Sequence, residues 1–155
     1  GLMTRMVTDE VNFINARALA KEMGIKVKET STAESKDYAN LLTVHVRTTE
    51  MANSVSGTIF GKKDPRVIKI NNFRLELIPQ GHMALIYNID RPGSIGEIGT
   101  TLGAHAVNIG RMQVGQEEGG DHNIIFMQTD TRIDDATLSA LNDLGSVKSI
   151  VPLEF

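Results

Sequence analysis

The chain has 155 residues, a formal net charge of −3 and no cysteine, a length that suits one ordinary domain or two small ones. The acidic balance argues against a nucleic-acid partner held by a basic face. The lack of cysteine excludes disulfides and thiolate metal sites, and it fits a reducing, cytoplasmic location.

The first half of the chain is predicted to contain one helix followed by antiparallel strands. The helix is expected over residues 9–24, with Asp9 as its cap and Gly24 as a left-handed stop. Beyond it the apolar residues recur with period two. We therefore expect Val44 and Val46 to lie on the inner face of a half-buried strand.

A hairpin and a domain boundary follow. Asn71 and Asn72 separate two short strand patterns, and asparagine tolerates the positive φ that a two-residue turn requires. The segment 78–82 is the predicted connection between a first domain, residues 1–80, and a second domain, residues 81–155.

The second half begins with residues 82–90, a nearly continuous apolar run that predicts an interior strand. Ser94 and Glu97 have the spacing of a capping box, with the serine as N-cap of the next helix. Three glycines on one flank of that helix are expected to let it approach a sheet or a neighbour closely: Gly96, Gly99 and Gly103.

The remaining predicted elements complete the order β-α-β-β-α-β in the second half of the chain. Strands are predicted at 108–115 and 123–129, around a turn at 117–122, then a helix from Asp134 and a last edge strand at 147–155. The fold class is therefore α+β, with a mostly antiparallel first domain that has one helix and a ferredoxin-like βαββαβ second domain.

Residues 88–99 read NIDRPGSIGEIG, and their glycines at 93, 96 and 99 are spaced by three. A dinucleotide fingerprint needs glycines at relative positions 1, 3 and 6, and a P-loop ends in Gly-Lys-Ser/Thr. Neither pattern is present. The spacing therefore excludes a nucleotide-binding loop here.

A small zwitterion fits this stretch better. The free N–H groups of a helix start suit a carboxylate, Asp90 could hold an ammonium group, and Asn88 and Asn108 could bind the rest of a free amino acid. Alternatively, Asp90 and Asn88 order a turn and Asn108 begins a strand. The candidate effector residues are Asn88, Asp90, Pro92, Gly93, Ser94, Ile95 and Asn108.

Two further groups carry weaker signals. Arg66, Lys69 and Arg74 cluster around the hairpin, either as a solvated face or as a pocket for an anionic metabolite. The histidines have no metal-ligand spacing, and we expect them to be structural or solvated: His45, His82, His105 and His122.

Two stretches resemble known families. DRPGSIGEIGTTLGAHAVNIGRMQVG, residues 90–115, resembles the ACT domain, a ferredoxin-like module that binds amino acids in regulated metabolic enzymes. SVSGTIFGKKDPRVIKINNFRLELIPQGHM, residues 54–83, resembles the intervening, allosteric-substrate-binding domain of bacterial D-3-phosphoglycerate dehydrogenases. The two domains that these stretches indicate would together cover almost the whole chain.

The resemblance implies the C-terminal regulatory part of an NAD-dependent enzyme of L-serine synthesis, and the first residue, a glycine, also suggests a fragment. NAD and the catalytic residues would belong to the absent half, so this chain alone would not be an enzyme. L-serine, or another small amino acid, would lie between two ACT domains near Asn88, Asp90 and Asn108. Arg66, with Lys69 and Arg74 as weaker candidates, would form an anion site. A homodimer through the ACT domains and a tetramer of the parent enzyme are expected, without a nucleic-acid or membrane partner.

Two other functions stay open. An iron–sulfur L-serine dehydratase also joins a similar intervening fold to an ACT domain, although the stretch DPRVIKIN favours the dehydrogenase. A structural tail that holds an oligomer together is the second. An RNA-binding domain is disfavoured because Phe126 is the one aromatic residue on the predicted strands 108–115 and 123–129.

Overall fold

The computed structural model describes residues 2–8, 10–31, 38–116 and 122–155. The predicted cap Asp9 and most of the predicted turn at 117–122 lie outside these ranges. The chain divides into two compact units, Gly1–Lys36 and Asp37–Phe155, and each is described by itself. No helix in the described ranges is long and apolar enough to cross a membrane.

The secondary-structure elements, in chain order, are a 3-10 helix Leu2–Arg5, α1 Ala16–Glu22, β1 Leu42–Arg47, β2 Ala52–Phe60, β3 Asp64–Ile70, β4 Phe73–Leu77, β5 His82–Ile89, α2 Ser94–Ala104, β6 Ile109–Gln116, β7 His122–Thr129, α3 Asp135–Asn142 and β8 Val147–Glu154.

The first unit contains α1, which begins later than the predicted residue 9. The Asn12 side-chain oxygen accepts hydrogen bonds from the backbone N–H groups of Ile14 at 2.9 Å and Asn15 at 3.0 Å. These local bonds form a turn where the first helical turns were predicted. The predicted stop at Gly24 is confirmed, because Gly24 has φ +73° directly after the helix.

The second unit opens with an antiparallel sheet of strand order β1-β2-β3-β4. The predicted hairpin is confirmed between β3 and β4, with Asn71 at φ +51°. Its side-chain oxygen also accepts a hydrogen bond from the Ser54 N–H at 2.7 Å. Asn71 therefore fixes both the turn and its position against β2.

The predicted half-burial of β1 is wrong. All six of its residues are exposed, including Val44 at 49% and Val46 at 42%. β1 lies at the edge of this sheet, whereas β3 and β4 contribute the residues that pack against the second sheet. Period-two alternation thus predicted the strand correctly and its environment incorrectly.

The second sheet has the order β6-β7-β5-β8, with every pair antiparallel. Together with α2 and α3 it forms the predicted ferredoxin-like βαββαβ arrangement. β5 lies in the interior of this sheet and β8 at an edge, as predicted. The edge position suits Pro152, which has no backbone N–H to donate to a second neighbouring strand.

Both faces of the second sheet are buried. The helix-side face forms one core with α2 and α3, made of Ala84, Ile86, Ile98, Leu102, Val107, Ile125, Met127, Ile133, Leu141 and Val147. The opposite face packs against the first sheet in a core made of Ile70, Phe73, Leu77, Met83, Leu85, Ile124 and Phe126. Phe126 is thus a core residue rather than a stacking platform.

The close approach predicted for the α2 glycines is wrong within the described chain. A Cβ atom added to Gly96, Gly99 or Gly103 would meet nothing within 4 Å. The tight contact is at Gly115 on β6, where an added Cβ would lie 2.9 Å from the carbonyl oxygen of Arg74. β4 and β6 therefore approach each other closely because residue 115 lacks a side chain.

Candidate functional site

An open recess of about 470 Å³ lies at the N-terminal end of α2, lined by residues 90–96. Its residues follow directly after β5, so the recess is at the end of an interior strand. Five of the seven predicted effector residues line it: Asp90, Pro92, Gly93, Ser94 and Ile95.

The helix start differs from the predicted capping box. Gly93, at φ +92°, is the N-cap, and Ser94 is the first helical residue. The Ser94 hydroxyl donates to the Arg91 carbonyl at 3.0 Å and thereby closes the turn. Because this hydroxyl points back into the turn, it is not the side-chain cap that the sequence pattern suggested.

The first turn of α2 presents backbone donors. The N–H of Glu97 bonds to the Gly93 carbonyl at 2.9 Å, whereas the N–H groups of Ile95 and Gly96 donate to no partner within the described ranges. Unpaired N–H groups and the positive end of the helix dipole favour an anion. This side of the recess therefore suits a carboxylate.

Asn88 lies beneath this turn and is fully buried, at 0% exposure. Its amide nitrogen donates to the Ser94 hydroxyl oxygen at 3.1 Å and to the Ile89 carbonyl at 2.8 Å. Its side-chain oxygen has no partner among the described residues. A buried acceptor of this kind costs about 1–3 kcal/mol when it stays unmatched.

Asp90 is exposed and supplies the negative charge of the recess. One of its carboxylate oxygens accepts a hydrogen bond from the Asn123 side-chain nitrogen at 3.1 Å. The carboxylate is therefore held on the β7 side of the recess, which the residues of the helix start also line.

The other side of the same loop is held by Glu97. Its Oε2 atom accepts hydrogen bonds from Arg91 Nη2 at 3.3 Å and from the Ser146 hydroxyl at 3.1 Å. Ser146 is fully buried, and its carbonyl accepts the Ile89 N–H at 2.8 Å. The loop that forms the recess is thus tied to α2 and to the start of β8.

Asn108 does not lie near the recess of its own chain. Asp90 follows Ile89, which pairs with His122, whereas Asn108 precedes β6, whose first residue pairs with Thr129. The length of β7 separates the two positions, roughly 23 Å at about 3.3 Å per residue. Within one chain, the structure brings Asn88 and Asp90 together and leaves Asn108 at the opposite end of the sheet.

The three basic residues lie on one face of the first sheet. Lys69 and Arg74 are direct partners across β3 and β4. Arg66 is paired with Glu76, with Nε and Oε1 3.5 Å apart, and its guanidinium lies 5.7 Å from the centre of the Phe60 ring. Lys69 and Arg74 therefore place like charges opposite each other, and Arg66 already has a carboxylate partner.

The histidines occupy separate places: His45 on β1, His82 and His122 at strand starts, and His105 after α2. In the described ranges no three His, Cys, Asp or Glu residues come close enough together to hold a metal ion.

Sequence reasoning missed Asn123, Glu97 as a loop anchor, and Ser146. Asn123 is 1% exposed and Ser146 is 0% exposed, and both are polar. The signal for Asn123 was a polar residue at the start of a strand that is otherwise apolar up to Met127. Since its partner Asp90 is 33 positions away, no local pattern could identify the contact.

Comparisons with known proteins agree with this architecture. Residues 1–71 match the D-3-phosphoglycerate dehydrogenase intervening domain, and residues 82–146 match the ACT domain. A D-3-phosphoglycerate dehydrogenase from Methanocaldococcus jannaschii is 31% identical over 97% of this chain and 28% of that protein. The Bacillus subtilis D-3-phosphoglycerate dehydrogenase is 31% identical over 97% of this chain and 29% of that protein. The one from Archaeoglobus fulgidus is 29% identical over 97% of this chain and 28% of that protein.

The chain thus spans somewhat under a third of the length of these curated relatives. Its two domain matches lie on either side of residue 80, and they leave residues 72–81 between them. Residues 1–71 thus carry an intervening domain of the D-3-phosphoglycerate dehydrogenase type and residues 82–146 an ACT domain, and over 97% of its length the chain is similar to part of such a dehydrogenase.

Proposed function

We propose that this chain is an amino-acid-sensing and assembly part of an NAD-dependent D-3-phosphoglycerate dehydrogenase, with L-serine as the effector. The observation that carries the proposal is the recess at residues 90–96, which is lined both by residues with unpaired backbone donors and by a carboxylate. ACT domains as a family bind amino acids, and the recess lies at the start of the first helix of this ACT domain.

The two sides of the recess match the two charges of an amino acid. The N–H groups of Ile95 and Gly96 would receive the carboxylate, where the helix dipole contributes about 0.3–1 kcal/mol. The ammonium group would face Asp90.

The same proposal includes a second chain. β6 is an edge strand of its sheet, and an edge strand can pair with its symmetry mate. In an antiparallel two-fold pairing, the start of one β6 lies beside the end of the other. Asn108 of the second copy would then come to the end of β6 near Asp90, which its own Asn108 cannot reach.

Catalysis is proposed for the parent enzyme and not for this chain. The glycine spacing at 93, 96 and 99 does not fit a dinucleotide, so we assign NAD and hydride transfer to the parts of the relatives that this chain does not span. The similarity to D-3-phosphoglycerate dehydrogenases favours the dehydrogenase over an iron–sulfur L-serine dehydratase.

Calorimetry on the 155-residue chain tests the effector site. We expect L-serine to bind the wild-type chain, and Asp90→Ala and Asn108→Ala each to weaken binding by about tenfold or more, since each removes a bond to a charged or polar ligand group. Asp143→Ala and Asn142→Ala, two exposed residues at the end of α3, are the matched controls and should bind as wild type does.

Two outcomes would contradict the proposal. Unchanged serine binding in both site variants would remove the assignment of the recess. If the wild-type chain dimerises but binds no small amino acid, the proposed sensing of amino acids is wrong. Assembly of the parent enzyme would then remain as the function.

A further inference from the structure

Three polar side chains beneath and beside the recess form one hydrogen-bonded row. Asn88 on β5 and Asn123 on β7 are direct partners in the sheet register. The Asn88 side-chain nitrogen donates to the Asn123 side-chain oxygen at 3.3 Å, and the Asn123 nitrogen donates to an Asp90 carboxylate oxygen at 3.1 Å. Asn88 and Asn123 are 0% and 1% exposed, so the row begins in the core and ends at the surface.

The surroundings fix the direction of this row. The Ser94 hydroxyl donates to the Arg91 carbonyl at 3.0 Å, so it can only accept from Asn88. The Ile89 carbonyl is also an acceptor. Because its neighbours all accept, Asn88 must present its nitrogen to them, and Asn123 must turn its oxygen towards Asn88. The Asn123 nitrogen is then directed at the Asp90 carboxylate.

We propose that Asn123 is the positioning residue of the effector site, which holds the Asp90 carboxylate where a ligand ammonium group meets it. This inference rests on the proposed function of the recess. A carboxylate on a surface loop loses rotamer freedom when it binds a ligand, and a fixed partner removes part of that cost before binding. Asn123 itself, at 1% exposure, acts through Asp90 rather than by touching the ligand.

The hydrogen-bonded row predicts for which ligands a substitution of Asn123 changes the affinity. Loss of Asn123 should weaken the binding of ligands that carry an ammonium group. It should leave the binding of ligands without an ammonium group unchanged. Glycerate has the carboxylate and hydroxyl groups of serine but a hydroxyl in place of the ammonium group, so it is the matched probe.

A double-mutant cycle tests the coupling. We expect Asn123→Ala to weaken L-serine binding by about tenfold and to leave glycerate binding unchanged. In Asp90→Ala the same substitution should cause no further loss, because the group it positions is absent. Equal losses of serine binding in the presence and absence of Asp90, or equal losses for serine and glycerate, would overturn the inference.

Asn123→Ala leaves the side-chain N–H groups of Asn88 with partners. Without Asn123, the two N–H protons of Asn88 still have two acceptors, the Ser94 hydroxyl and the Ile89 carbonyl. Asn142→Ala is the matched control, since among the described residues its amide nitrogen bonds only to the Leu138 carbonyl, at 3.0 Å on α3.

A measurement without ligand separates this inference from the proposed function. The side-chain amide resonances of Asn123, observed by NMR, should shift in Asp90→Ala. If they do not shift, the positioning role is wrong whatever the recess binds. If they shift while the wild-type chain binds no amino acid, the positioning contact stands and the proposed effector function fails.

Discussion

Gly115 and Arg74 are in tighter contact than a side chain at position 115 would allow. A Cβ atom added to Gly115 would lie 2.9 Å from the Arg74 carbonyl oxygen and 2.9 Å from Ile124 Cγ2. A hydrogen bond from the Glu76 N–H to the Gln113 side-chain oxygen, at 3.1 Å, joins the same two strands. The two sheets of the second unit therefore meet through β4 and β6.

Gly115→Ala should separate these sheets. The new methyl group would meet a backbone carbonyl that cannot rotate away, and we expect a loss of about 1–3 kcal/mol in the free energy of unfolding, measured by urea denaturation. Gly110→Ala, also on β6, is the control, because its added Cβ lies 3.6 Å from the nearest atom. Equal stability of the two variants would contradict the contact.

Tyr87 should make the chain sensitive to alkali. Burial raises its pKa above the ordinary value of 10.0, while a hydrogen bond with the Asn71 side chain acts in the opposite direction. A raised pKa stabilises the fold below the unfolded pKa, and this contribution is lost as the pH rises through the folded pKa. The urea midpoint should therefore fall more steeply above about pH 10 in wild type than in Tyr87→Phe. Tyr38→Phe removes the other phenol for comparison, and identical slopes for wild type and Tyr87→Phe would contradict the prediction.

Anions should stabilise the chain through the basic residues Arg66, Lys69 and Arg74. Lys69 and Arg74 place like charges opposite each other across two strands, which is destabilising until an anion lies between them. Phosphate or 3-phosphoglycerate should therefore raise the melting temperature, and added salt should reduce the rise. Replacing Arg66, Lys69 and Arg74 by glutamine should abolish it, whereas replacing Lys62 and Lys63, in the turn before β3, should not. If the anion still raises the melting temperature of the triple variant, these residues form a solvated face and not an anion site.

The β6 edge predicts self-association. Val114 on β6 and Val151 on β8 are both 40% exposed and lie on opposite edges of the same sheet. We expect Val114→Asp to convert a wild-type dimer to monomer in sedimentation equilibrium, because a charge on an edge strand blocks pairing. Val151→Asp should leave the dimer intact. A wild-type chain that stays monomeric at tens of micromolar would contradict the prediction.

Features that depend on local chemistry could be predicted from the sequence. The hairpin at Asn71 follows from the φ that asparagine tolerates, and the interior position of β5 follows from its unbroken apolar run. The stop at Gly24 is equally local. Each needs information from only a few neighbouring residues, and the order of these elements was enough for the fold class.

Features that depend on residues distant in the sequence could not be predicted from it. The exposure of Val44 depends on which strands the second sheet covers, and the closeness of Gly115 to Arg74 depends on how two sheets pack. Ser94 was predicted as a cap because the sequence does not show that Asn88 and the Arg91 carbonyl engage its hydroxyl. In the recess, the sequence indicated Asp90 but not Asn123, the residue that holds it.

The central claim is that one effector site draws Asp90 from one chain and Asn108 from the other. Mixing the Asp90→Ala and Asn108→Ala chains tests it most directly. Each variant alone lacks one group at every site, but a mixed dimer has one site with both groups and one with neither. We predict that calorimetry of an equimolar mixture recovers wild-type serine affinity at about a quarter of the sites, given random pairing of chains. A mixture that binds serine no better than either variant alone would contradict the two-chain site.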